Sequence, residues 1–233
     1  MLKRSVYLLL VALTLATIAS SSSAGNSNPG IQPLNSKFRG LSYSEWQAKW
    51  WQAAFDIPVV GGEHPLINGG PFDGDNGVVF LAAPVGVTTT IEVTIPTGTP
   101  LFFPIVNFEC SVFEPDPFHG DDEESLRECA NDHTDNTSGV SASIDGKTVK
   151  NITSYRTESD LFEWGPLPED NIFQFFGLDA PEGTTSLAVD SGFYLLLNPL
   201  SKGQHVIHIA GSIDEFGTFV DTTFVIHVVP GGH

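Results

Sequence analysis

The chain has 233 residues, 41% of them hydrophobic, with 28 acidic residues against 10 basic ones and two cysteines. A formal charge of −18 disfavours nucleic acid or an anionic membrane surface as a partner, because either would bring like charges together. It suits an extracellular protein, a saline habitat or a cation-binding surface, and the apolar fraction is that of a globular protein with a real core.

Lys3 and Arg4 precede an apolar stretch from Val6 to Ile18, which is followed by Ser20 to Ser23, Ala24 and Gly25. This is a short positive region, an apolar run too short to span a bilayer comfortably, and small residues where a signal peptidase cleaves. Cleavage is expected after Ala24, giving a secreted or periplasmic protein with no membrane span in its mature part. Eight basic residues would then face 28 carboxylates, a charge of −20. Residues 25–40, rich in Asn, Ser, Gly and Pro, read as a mobile leader. Residues 41–233 read as a single β-rich domain, since no Ser/Gly-rich or Pro-rich linker interrupts them.

One helix is clear. Ser42 and Glu45 stand in capping-box relation, and the run from Glu45 to Phe55 has no Gly or Pro. Trp46, Trp50, Ala53 and Ala54 fall at helical spacing, so one face is apolar, and Trp51 points about a quarter-turn away from it. Pro58 to Asn76 reads as an extended loop. Strands are expected at Val78 to Ala83, Thr88 to Ile95, Pro100 to Phe108, Ser141 to Ile144, Lys147 to Lys150, Ile172 to Phe176, Ser186 to Val189, Gly192 to Leu197, His205 to Ala210 and Thr218 to Val229. Asp145-Gly146 is a strong hairpin signal, and the last two strands read as a terminal hairpin, apolar on both faces and so central in a sheet. Many short strands with one N-terminal helix predict a mainly β fold, a two-sheet sandwich or jelly roll.

Between the strands lies a polar insertion, Glu114 to Asp135, in which Asp121 to Ala130 has the acidic start that suits a short helix. Cys110 and Cys129 are expected to form a disulfide that ties it back, worth roughly 3 kcal/mol in the chain-entropy model. Asp116, Asp121, Asp122 and Glu124 offer oxygen ligands at close spacing, so calcium is the candidate cofactor, although no EF-hand pattern is present. A solvated acidic surface is the alternative.

Trp46-x-x-x-Trp50-Trp51, the run Leu101-Phe102-Phe103-Pro104-Ile105 leading to Asn107-x-Glu109, and the ending Gly203-x-His205-x-Ile207-His208 resemble a family of secreted, mostly bacterial proteins of unassigned function. The resemblance touches the start, middle and end of the mature chain, which implies one domain. It implies no activity.

Among candidate catalytic residues, Asn107 and Glu109 are two apart on a strand and should share a face, opposite to Phe108 and Cys110. Glu109 is either a carboxyl beside apolar surface, with a partner or a raised pKa, or a solvated residue at an exposed strand end. If the hairpin turns at Asp214 to Gly217, His205 and His227 lie opposite each other with His208 on the other face, and Glu109 or His64 could complete a metal site. Trp51, His64, His205 and His227 are the candidate binding residues, with carbohydrate a ligand class that an exposed tryptophan could stack against. No G-x-S-x-G, H-E-x-x-H, P-loop or dinucleotide fingerprint occurs, and Asn136-Thr137-Ser138 and Asn151-Ile152-Thr153 are glycosylation sequons. The leading expectation is an extracellular binding or structural module. The alternative is a hydrolase or lyase in which Glu109 works with Asn107 and a nearby histidine such as His208.

Overall fold

The computed structural model describes Asn28 and residues 30–231; the expected signal segment lies outside the described residues. The chain is mainly β and builds two mixed sheets. The first takes β1 (Gly70–Asp73), β2 (Val79–Ala82), β4 (Leu101–Ser111), β9 (Ser186–Leu197) and β7 (Arg156–Glu158) in that order, with β8 (Phe162–Trp164) also on β9. The second runs β3 (Thr88–Pro96), β11 (Thr218–Val229), β10 (Gly203–Ile213), β5 (Thr137–Ile144) and β6 (Lys147–Thr148). β2 is parallel to β4 and β3 is parallel to β11; the other pairs are antiparallel.

The sheets close over a shared core in which Phe103, Ile105, Leu195 and Leu197 of the first meet Val93, Ile207, Ile209, Phe224 and Ile226 of the second. The opposite face of the first sheet is covered by α1 (Tyr43–Phe55). Ser42 caps this helix with a reciprocal box, its Oγ accepting from the Glu45 N–H at 3.2 Å while its own N–H donates to Glu45 Oε2 at 2.7 Å. Trp46 and Trp50 are buried against Phe72, Phe80 and Phe102, each contributing on the order of 2–3 kcal/mol.

The acidic insertion carries α3 (Glu123–Asp135), longer than expected and capped by Asp122, whose Oδ1 accepts from the Ser125 N–H at 2.9 Å. Cys110 and Cys129 are disulfide-bonded with Cα atoms 6.2 Å apart, and Leu126 and Ala130 pack beside Cys110 and Val189. No helix among the described residues is long and apolar enough to cross a membrane.

Several sequence expectations are corrected. Ile172–Phe175 is a helical turn, α4, because Asn171 caps it, its side-chain oxygen accepting from the Gln174 N–H at 3.1 Å; the cap outweighs the β propensity of the run. The loop expected over residues 58–76 contains α2 (Pro65–Asn68) and β1. Ser186 to Leu197 is one strand rather than two. The terminal hairpin is central as expected, yet only one of its faces is buried; the other carries His208, Asp221 and Thr223. The described part of the expected leader is packed: Ile31 is buried and bridges Leu197, and the Gln32 N–H donates to the Leu196 carbonyl at 2.8 Å.

Candidate functional site

The site grows from β4. Leu101 and Phe103 point into the core, and continued alternation would send Asn107 and Glu109 there too. The β4–β9 register shifts between Pro104 and Val106. This bulge restarts the alternation, so Val106 and Phe108 face the core while Asn107 and Glu109 turn to the side covered by α1. Asn107 lies opposite Gly192, and Glu109 opposite Asp190. Gly192 is required here, since a Cβ would sit 2.6 Å from the Asn107 Cβ.

A buried polar network results. Asp190 accepts from Gln47 Nε2 at 2.6 Å and from Trp51 Nε1 at 2.7 Å. Asn107 Nδ2 donates to the Tyr194 hydroxyl at 2.7 Å, and that hydroxyl lies beside Asp190. Burial pushes the Asp190 carboxyl up to about 7, although the surrounding donors pull the other way. Burial, with Asp190 beside it, also holds the Tyr194 phenol well above its usual range.

Glu109 is 5% exposed, and its Oε1 accepts from Trp164 Nε1 at 2.8 Å. Its pKa stands well above the carboxylate range, first because of burial, then because Glu114 lies against it. Glu114 is held by Ser111, whose Oγ donates to Glu114 Oε2 at 2.9 Å, and burial raises its pKa as well. Two buried carboxyls beside each other with no cation between them are costly to ionise together.

Glu109, Glu114 and Asn107 open into a cleft of about 710 Å³. It forms because β2 pairs with β4 only as far as Phe102, leaving residues 104–109 as an unpaired strand edge. One wall is Trp51, Phe55 and Phe173 from the helical layer; the other includes Ile213 and Val220 of the second sheet. Val85 and Phe176, 53% and 62% exposed, lie at its rim. No family model, curated protein or solved structure matches the chain.

The structure brings together at this cleft four of the residues singled out from sequence, Asn107, Glu109, Trp51 and Asp116, and disperses the other candidate binding and metal residues. Glu109 is not a wet strand end, because the loop over residues 112–118 and Trp164 cover it. None of His64, His205, His208 and His227 lines the cleft. The hairpin turns where expected, but Gln204 pairs with His227 and His205 with Ile226, so this one-residue offset puts His205 and His227 on opposite faces. His205 meets Asp145 at 2.8 Å, His208 meets Asp221 at 2.9 Å, and His227 meets Glu92 at 2.5 Å. His64 caps α2, with Nδ1 accepting from the Leu66 N–H at 3.0 Å and Nε2 3.1 Å from the Ala54 carbonyl oxygen. Burial lowers the pKa of its imidazole.

The four acidic residues expected to hold calcium are not gathered. Asp122 caps α3, Asp121 pairs with His119 at 3.2 Å, and Asp116 lines the cleft. Among the described residues the one cluster of three metal-capable groups is Cys110, Cys129 and His133, and both sulfurs are in the disulfide. Sequence reading missed Gln47, Glu114, Asp190 and Tyr194 as members of the site. Asp190-Ser191-Gly192 between two apolar runs was the available signal, but it reads equally well as a break between strands.

Proposed function

We propose that this protein works outside the cytoplasm as a binding protein for a small, largely apolar organic molecule seated in the cleft between the helical layer and the second sheet. The observation that carries this reading is the cleft itself, a concavity of about 710 Å³ with apolar walls and a few convergent polar groups, which is the usual form of a small-molecule site. The ligand's body lies against Trp51, Phe55 and Phe173, and its polar end meets Glu109 and Asn107. A carbohydrate, expected from an exposed tryptophan, fits less well, because its many hydroxyls would lose water against walls that offer few partners. The disulfide and the acidic charge support an oxidising, extracellular setting.

The test uses the neutral fluorophore N-phenyl-1-naphthylamine, whose emission brightens in apolar surroundings. Saturable, one-to-one binding is expected, and it should be lost in Ala83→Trp, which fills the cleft where Ala83 lines it. Probe fluorescence that never saturates, or that Ala83→Trp leaves unchanged, would overturn the reading.

A further inference from the structure

We infer that the cleft selects an organic cation, a molecule carrying one protonated amine or quaternary ammonium group on an apolar body. The inference rests on the cleft being a ligand site and adds the sign of the ligand's charge. Three lining residues are acidic, Glu109, Glu114 and Asp116, and among the described residues no Lys, Arg or His lines the cleft. Elsewhere in the fold His205 pairs with Asp145 and Arg127 with Glu158. Within the cleft Glu109 and Glu114 accept from neutral donors, Trp164 and Ser111.

Once either carboxyl of this pair ionises, its negative charge faces apolar walls and is costly to keep without a counter-charge. An ammonium group supplies it. Trp51, Phe55 and Phe173 add aromatic surface in the same cleft, which favours a cation over a neutral or anionic ligand of equal size. The strongly negative charge of the whole chain draws cations toward the protein and repels anions. An alcohol of the same length can hydrogen-bond a carboxyl but brings no counter-charge, and a carboxylate brings a further negative one.

Displacement of bound N-phenyl-1-naphthylamine by octylammonium, 1-octanol and octanoate at neutral pH tests the inference with one chain length and three charges. Octylammonium should displace the probe at a concentration about tenfold below that of octanol, as a charge-assisted hydrogen bond with aromatic contact implies, with octanoate weakest. In Glu114→Gln, checked for native circular dichroism, the ratio of the octanol to the octylammonium displacement concentration should fall severalfold, because one of the two carboxyls that can face the ammonium is gone. Octanol displacing as well as octylammonium from a saturable site would overturn the cation inference and leave the cleft reading standing. Absence of saturable probe binding would remove both. Should Glu114→Gln fail to fold, the order of the three competitors on the wild-type protein decides.

Discussion

Asp190→Asn should change how stability depends on pH, and by an amount the structure allows to be worked out. Asp190 has its pKa raised from the ordinary 3.8 to about 7 in the folded protein. An acid with a raised folded pKa binds its proton more tightly folded than unfolded. Its contribution is fully present below the unfolded value and is lost as pH rises through the folded value. One pKa unit is about 1.4 kcal/mol, so the whole effect is roughly 4 kcal/mol, of which about 3 kcal/mol falls between about pH 5 and pH 8. Asparagine is the matched replacement because it stays neutral and nearly isosteric. Its added Nδ2 donor also has an acceptor at hand once the Gln47 amide turns, since Gln47 Oε1 is buried without a partner among the described residues. Urea denaturation at a series of pH values gives the two stability curves. The wild-type curve should fall by about 1 kcal/mol more per pH unit than the variant's, averaged across this window, and the two should run parallel above it. Glu109 is displaced in the same direction, first by burial and then by Glu114, with Asp190 the smallest of its causes, so its contribution is nearly common to both proteins. Parallel curves across this window as well would mean that Asp190 is ionised in the folded state throughout, and the account of the network would be wrong.

Two other outcomes follow from the packing. Gly192→Ala places a Cβ 2.6 Å from the Asn107 Cβ and 2.7 Å from the Val106 carbonyl oxygen, so the β4–β9 pair must part at the site. A loss of about 1–3 kcal/mol is expected, seen as a lower melting temperature in calorimetry, and an unchanged value would refute the close approach. Replacing both Cys110 and Cys129 by serine should cost roughly 3 kcal/mol and speed hydrogen exchange over residues 123–135 more than in the sheets. Two reactive thiols in the native, unreduced protein would contradict the disulfide itself.

Much of the architecture was legible in the residues because it depends on neighbours in the chain. Ser42 and Glu45 set the start of α1 by a local hydrogen-bond exchange, and β-branched and aromatic runs marked most of the long strands. Two cysteines in a chain expected to be exported pointed to their disulfide, and Asn107 and Glu109 were placed on one face by alternation alone. Local signals also misled. The run Ile172 to Phe176 has strand composition, yet the cap at Asn171 makes it a helical turn.

What the tertiary structure decided is register, burial and charge state. His205 and His227 were separated by a pairing offset of one residue, which reverses faces and which no local pattern fixes. Glu109 stands next to an acidic insertion and resembles a wet strand end in sequence. The bulge after Pro104 turns it toward α1, while Trp164, brought from elsewhere in the chain, and Glu114, returned by the loop that follows the strand, enclose it. Asp190 gained its role because β9 runs antiparallel to β4 and sets it opposite Glu109. Sequence specifies which groups can ionise, but the cost of ionising them depends on the water removed and the dipoles supplied by residues that only folding brings near.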